Sequence, residues 1–308
     1  MIPRRRRHAC GPIFLVGAAR SGTSLLYKVM ALHPETTWLS NWIQHFPDAP
    51  QLAALNRCAR AFPERRSPVW FGRDGRNAYV YGSRRPLRDR LFPMPAEAET
   101  FYARRGFPQK LQPTEPLSGG RDARRLQQGF DTIARWDGHR TVLTKRIANN
   151  RRIPLLSQIF PQARFIEIVR DGRAVAVSLS AVDWWETSAI WWLGASPREW
   201  RLQGRDPWEL CARNWVEEVQ IVRRGLAEVD PGQVLSLRYE DLVRDPPAVV
   251  EEVMTFSRLD VRAPEWRAAL GQVRFPNQNE AWRTKISASA QEVIESVQRG
   301  ELEHYGYS

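Results

Sequence analysis

Lysine is nearly absent from this chain. Of 46 basic residues, only Lys28, Lys110, Lys145 and Lys285 are lysines, so the formal net charge of +12 is carried almost entirely by arginine. Such an excess favours polyanionic partners or anionic small molecules. A general preference for arginine explains much of it, and the arginines are scattered rather than striped. The same scarcity makes a lysine in a suggestive place more informative. Cysteine is also sparse: Cys10, Cys58 and Cys211 form no C-x-x-C pair and have no histidine at zinc spacing. Neither a disulfide framework nor a metal site is supported, and a reducing compartment is the simpler expectation. No apolar run approaches the roughly 20 residues of a membrane helix. Arg4-Arg5-Arg6-Arg7 has the charge of a signal peptide's start, yet the apolar stretch after it is only Ile13 to Val16. That is too short for a signal core, so a cytoplasmic protein is expected, with Arg4 to Arg7 as a disordered tail.

What is present is ordinary in bulk: 308 residues, 43% hydrophobic and 26% charged, enough for one large α/β domain or two smaller ones. No internal repeat or linker stands out, so a single domain over 1–308 is expected. Ile13 to Val16 reads as a buried parallel strand, and Gly22 to Leu32 as the helix after it, stopped by His33-Pro34. From Pro63 to Gly120 proline, arginine and glycine are frequent and periodicity is weak, which predicts an irregular insertion shaping a wall or lid. Helices are then expected near Arg121 to Arg135, Ile153 to Phe160, Asp171 to Val182, Pro207 to Leu226, Tyr239 to Val243, Pro247 to Ser257 and Ala288 to Glu303. Strands are expected at Thr141 to Thr144, Arg164 to Val169 and Val234 to Leu237. Strands alternating with helices predict an α/β fold, a parallel sheet covered on both faces in three layers.

The most informative segment runs Gly17-Ala18-Ala19-Arg20-Ser21-Gly22-Thr23-Ser24 between the first strand and its helix. A Gly-bounded turn there aims backbone N–H groups and a helix's positive end at one point, where an anion can bind. The nucleotide-triphosphatase form reads G-x-x-x-x-G-K-S/T; Gly17, Gly22 and Ser24 are in register, but Thr23 fills the lysine slot. The cation stands two residues before the second glycine, at Arg20, whose planar fork suits a tetrahedral oxyanion. A second segment, Arg164 to Ser178, places Arg170 at a strand's end, Asp171 as a helix cap and Ser178 about two turns further on the same face. Arg170 and Ser178 can share one phosphate, although a strand-to-helix turn with a good cap explains the same pattern.

Taken together the two segments resemble sulfotransferases that use 3′-phosphoadenosine 5′-phosphosulfate (PAPS), the P-loop-like family whose product is adenosine 3′,5′-bisphosphate (PAP). The phrases Ile168-Val169-Arg170-Asp171-Gly172-Arg173-Ala174 and Leu237-Arg238-Tyr239-Glu240-Asp241-Leu242-Val243 are similar to those of the tyrosylprotein and bacterial small-molecule branches. The resemblance runs from about Ile13 to Trp282, with Pro63 to Gly120 unmatched. It implies that the loop from Gly17 to Leu25, with Arg20, Ser21, Gly22, Thr23 and Ser24, holds the 5′-phosphosulfate. Arg170 and Ser178 would then hold the 3′-phosphate, and Tyr239 would lie near the nucleotide or simply anchor a helix in the core.

Lys145, 25 residues before Arg170, resembles in spacing the tyrosylprotein branch's catalytic lysine on the oxygen bridging phosphate and sulfur, where charge builds as the S–O bond breaks; a surface lysine beside Arg146 is the alternative. That branch's basic glutamate falls near Asn41, which cannot take a proton. His45 is the first alternative, because imidazole titrates near neutrality, with Asp48 and Glu35 also open. Arg283 and Lys285, in Asn279 to Lys285, resemble the family's late basic loop that closes over the nucleotide, and a solvated helix entry explains them equally well. Seven tryptophans between Trp184 and Trp215 suggest an aromatic acceptor pocket, or ordinary core packing.

The expected activity is in-line sulfuryl transfer to a hydroxyl or amine of a small-molecule, sugar, lipid or peptide acceptor. No metal is expected, because Val169-Arg170-Asp171 is basic where triphosphatases carry an acidic strand end for magnesium. A P-loop kinase using ATP and magnesium, and a non-enzymatic nucleic-acid-binding protein, are the rivals. Thr23 speaks against the first and the absence of a recognisable RNA or DNA motif against the second.

Overall fold

A computed structural model describes residues 11–72, 86–109, 119–280 and 282–307. Arg4 to Arg7, Cys10 and Lys110 lie outside the described residues, as do 73–85 and 110–118 of the stretch expected to be irregular. Five strands, β1 (Ile13–Val16), β2 (Thr36–Trp38), β3 (Thr141–Lys145), β4 (Arg164–Val169) and β5 (Val234–Arg238), form one sheet in the order β2-β3-β1-β4-β5. All neighbours are parallel, so every strand ends on the same rim. β1 lies in the middle, with Leu15 opposite both Lys145 of β3 and Ile166 of β4.

The period-2 alternation of β1 sets the layers. Ile13 and Leu15 join an apolar cluster with the helices Thr23–Ala31, Pro246–Phe256 and Pro264–Leu270. Phe14 and Val16 join another, with the helices Gly119–Trp136, Ile153–Ile159 and Pro207–Leu226. This is the expected three-layer α/β arrangement. Phe14 stacks on Phe165 at 5.3 Å, and Phe130 meets Phe160 at 4.9 Å, so the second face is held by a run of aromatic contacts. Burying each such ring contributes roughly 1.5–3 kcal/mol.

Two parts differ from expectation. The described residues between Pro63 and Gly120 contain helices Pro63–Phe71, Leu87–Arg90 and Glu99–Ala103 and the start of Gly119–Trp136, which composition did not predict. Pro63 opens the first of these at a position that needs no N–H donor, and its last turn buries Val69, Trp70 and Phe71. β2 went unforeseen because three residues carry no measurable alternation; its pairing with β3 defines it. The seven tryptophans read as an acceptor pocket or as core packing divide between the two: Trp185, Trp200 and Trp215 are buried core, while Trp191, Trp192 and Trp208 are only partly covered and Trp184 is exposed. Most of the tryptophan density is therefore packing.

Candidate active site

The loop after β1 is shaped by glycines that cannot be replaced freely. Gly17 has φ +136°, and a Cβ there would lie 2.4 Å from the Ile168 carbonyl oxygen of β4. Gly22 has φ +91°, and its Cβ would lie 2.5 Å from the Tyr239 ring. Between them Arg20 adopts φ +70°, an uncommon conformation for a side-chain-bearing residue. The helix Thr23–Ala31 starts directly after Gly22, which offers no side-chain cap, so the first-turn N–H groups have no acceptor within the helix. Those groups, at Thr23, Ser24 and Leu25, are of the kind that can donate to an anion, whereas the Leu25 side chain packs into the core. Ser21 is fully buried, and its hydroxyl has no partner among the described residues. A buried unsatisfied hydroxyl beside uncapped N–H groups fits an oxyanion in this cradle.

Asn150 fastens the loop from beneath. Its Oδ1 accepts from the Gly17 amide at 3.2 Å, and its Nδ2 donates to the Gly17 carbonyl at 3.0 Å and to Glu218 Oε2 at 2.7 Å. The other oxygen of Glu218 accepts from Trp191 Nε1 at 2.8 Å. Burial holds the Glu218 carboxyl above the usual carboxylate range, with the Asn150 and Trp191 hydrogen bonds acting in the opposite sense.

Cations converge on the loop from β3 and β4. Arg20 Nε donates to Ser178 Oγ at 2.9 Å, which leaves the Ser178 hydroxyl hydrogen able to donate elsewhere. Arg170 donates to the Arg20 carbonyl at 3.0 Å, to Asn279 Oδ1 at 3.1 Å and to the Gln278 carbonyl at 3.1 Å. Its guanidinium carbon lies 4.5 Å from the centre of the Tyr239 ring, whose hydroxyl donates to the Pro276 carbonyl. Arg20, Arg170, Ser178 and Tyr239 are thus gathered on one rim, and Tyr239 covers Gly22 from the start of the helix after β5. Asp171 caps the helix Gly172–Ser180 as expected, accepting from the Arg173 amide at 2.9 Å. At the end of β3 the buried Lys145 pairs with Glu97, and Glu97 Oε2 also accepts from the Ile147 amide at 3.3 Å. Neighbouring Arg146 is held by Glu99 and lies over the Tyr102 ring.

Other expected residues are placed less closely. His45 ends the short helix Asn41–His45, is exposed, and its ring contacts the Asn41 carbonyl at 2.6 Å. Asp48 is exposed and 3.7 Å from Arg104. Glu35 directly precedes β2, on the amino-terminal rim opposite the loop, where it accepts from the Asp260 amide. It is on the wrong side of the sheet to serve the loop. Arg283 and Lys285 are exposed on the turn Trp282–Lys285, Arg283 paired with Glu280 at 2.5 Å, while residues 276–279 reach Arg170 and Tyr239. Asn150, Glu218 and Glu97 are functional candidates the motifs did not point to. Only the Asn149-Asn150 pair soon after Lys145, polar residues where a helix face would be apolar, carries a local signal.

Among the described residues no helix is long and apolar enough to cross a membrane. The omega-hydroxy-beta-dihydromenaquinone-9 sulfotransferases Stf3 of Mycobacterium bovis and Mycobacterium tuberculosis are each 26% identical to the chain over 258 residues, 76% of this chain. The chain spans 59% of the length of these curated relatives. Among solved structures, sulfotransferase STF9 from Mycobacterium avium superposes with a TM-score of 0.56 at 17% identity, covering 98% of this chain and 78% of that one. Sulfotransferase STF1 from Mycobacterium tuberculosis gives 0.52 at 16% identity, covering 95% and 77%. At those identities the likeness is one of fold. The profile of the Sulfotransferase family, however, matches residues 12–263, a span that holds the loop, Lys145, Arg170, Ser178 and Tyr239 together, and the chain belongs to that family.

Proposed function

We propose that the chain transfers a sulfuryl group from PAPS to the hydroxyl or amine of a small molecule, working as one domain whose 63–120 stretch helps form the acceptor wall. The observation that carries this is the meeting of Arg20, Ser178 and Arg170 at a phosphate loop with Thr23 in the lysine position. A donor with a phosphosulfate at one end and a phosphate at the other needs two anion sites, and the rim offers two. The loop N–H groups from Gly17 to Leu25, with the hydroxyls of Ser21, Thr23 and Ser24, cradle the 5′ end. Arg170 and the free hydrogen of Ser178 grip the 3′-phosphate. Lys145 and Arg20 oppose the charge that builds on the bridging oxygen as the S–O bond breaks. Tyr239 closes one side, and Arg283 and Lys285 extend from the segment tied to Arg170. The donor supplies an activated sulfuryl group, and the chain binds it, orients it and stabilises the leaving charge. The partly covered Trp191 and Trp192 support an acceptor with an apolar body, in keeping with the menaquinone derivative in the relatives' names.

Calorimetry with PAP, with ATP and magnesium, and with an oligonucleotide tests the donor assignment. Tight PAP binding that is insensitive to magnesium is expected, weakened about 10- to 100-fold in Arg170→Ala by loss of charge-assisted hydrogen bonds. A preference for ATP with magnesium, or for the oligonucleotide, overturns it.

A further inference from the structure

As the acceptor oxygen bonds to sulfur, its proton has to pass to a base within about 2.6–3.2 Å. Most carboxylates near the carboxyl-side rim are engaged elsewhere: Asp171 accepts from the Arg173 amide and guanidinium, and Glu240 from the Asp171 amide and the Tyr307 hydroxyl. Glu218 lies buried under the loop with both oxygens taken by Asn150 and Trp191. Glu99 gives both oxygens to the buried Arg146, at 2.6 and 2.5 Å. His45 keeps Nε2 able to take a proton, but it is exposed and its Nδ1 is bound to the Asn41 carbonyl of its own helix rather than to Lys145 or the loop. Glu97 differs from all of them. Oε1 pairs with Lys145, Oε2 takes only a long bond from the Ile147 amide, and its side chain is 45% exposed against 6% for Lys145. The carboxylate stands between the buried cation and the open side of the site.

Asn41 holds it there. The Asn41 amide donates to the Met94 carbonyl at 3.1 Å, and Oδ1 accepts from the Met94 amide at 3.0 Å. Nδ2 donates to the carbonyls of Arg90 and Phe92, at 2.9 and 3.2 Å. Ser40 bridges to Pro95, and the Ala96 amide donates to the Leu39 carbonyl at 2.8 Å. Residues 90–96 are therefore stitched beside 39–41 like an added strand, and the chain leaves that seam at Glu97. The position where the resemblance expects a carboxylate carries instead the side chain that positions one from elsewhere.

We infer that Glu97 is the general base for transfer to a hydroxyl and that Asn41 is its positioning residue; this rests on the assignment of Lys145 to the bridging oxygen. The acceptor oxygen forms the new bond to sulfur, and the bond from sulfur to the bridging oxygen breaks with its electron pair remaining on that oxygen, against Lys145. The hydroxyl proton passes to the Glu97 carboxylate, which Lys145 releases when it turns to the donor. One side chain thereby links occupancy by the donor to release of the base.

The test pairs PAP affinity with sulfuryl transfer from PAPS to water, to primary alcohols and to 4-nitrophenol, which is largely ionised at pH 8 and needs no base. Glu97→Gln is expected to bind PAP within about threefold of the wild type. It loses transfer to water and alcohols by about 10²- to 10⁴-fold, the usual span of a general base, and loses far less with 4-nitrophenol. Glu97→Asp recovers part of the rate. Asn41→Ala lowers kcat about tenfold with PAP affinity and donor KM unchanged. Wild-type transfer to alcohols in Glu97→Gln overturns the inference, as does loss confined to His45→Ala. A fall in PAP affinity matching the loss of rate makes Glu97 a brace for Lys145 instead. If the wild type does not bind PAP, the donor assignment fails, irrespective of Glu97.

Discussion

Replacing Asn150 by alanine isolates the support of the loop from its chemistry, because Asn150 lies under Gly17 and is 1% exposed. The substitution removes three hydrogen bonds, two to the Gly17 backbone and one to Glu218, and leaves a buried amide, a buried carbonyl and one carboxylate oxygen without that partner. Each orphaned group costs about 1–3 kcal/mol, and water entering the space left by the amide recovers part of the sum. A net loss of about 3 kcal/mol follows. For a chain of this size that lowers the melting temperature by roughly 5 °C. The loop must then be ordered at the moment of binding, so PAP affinity falls about tenfold, equivalent to about 1.4 kcal/mol. Asn150→Asp is the sharper companion: it keeps an acceptor for the Gly17 amide but sets a second carboxyl against Glu218. Its penalty grows as pH rises and both groups ionise. Scanning calorimetry and PAP titration read both effects. An Asn150→Ala protein melting within about 1 °C of wild type, with unchanged affinity, refutes the reasoning.

Two further outcomes follow from the same geometry. Gly22→Ala requires a left-handed side-chain-bearing residue, costing about 1–2 kcal/mol, and a displaced Tyr239 ring; PAP binding is expected to weaken at least about tenfold. Combining it with Tyr239→Ala removes the clash but not the backbone strain, so a double-mutant cycle by calorimetry should show coupling, and strict additivity counts against the contact. Burial raises the Glu167 carboxyl above its ordinary 4.5, opposed by a hydrogen bond from Ser236 and by Arg223. With the folded value above the unfolded one, its contribution is whole below about pH 4.5 and is lost as pH rises through the folded value. Urea unfolding at pH 5 and pH 8 should show Glu167→Gln gaining stability relative to wild type at the higher pH; a difference that does not change with pH rejects this.

Much of the frame was legible where local signals and tertiary demands coincide. The strand, loop and helix around Gly17 are marked by an apolar run, two glycines with positive φ and a Pro34 stop. Pro207–Leu226 opens with Asp206 capping and proline at the first position, and its sequence bounds coincide with the helix. Arg170 and Ser178 were legible because eight residues of strand end and helix fix their relation. Glu97 was not, since it reaches Lys145 from 48 positions away through a seam of backbone hydrogen bonds and one asparagine side chain, which leave no residue pattern. The short helices among the described residues of 63–120 were hidden for a related reason: proline and arginine dominate the composition, while a few residues, Val69, Trp70, Phe71 and Phe101 among them, do the packing. Tryptophan density was ambiguous because an indole serves equally as core filler and as a hydrogen-bond donor. Trp215 does the first and Trp191 the second.

A guanidinium has five N–H groups, and Arg170 commits three of them to its own chain, to Arg20, Gln278 and Asn279. Two remain for the phosphate proposed there. Residues separated by 150 and 109 positions must therefore be in place before this arginine is correctly aimed. On the proposed assignment, competence to bind the nucleotide is in that sense a report on assembly: the loop, the end of β4 and the 276–279 segment have to meet first, and Arg170 is where their meeting registers.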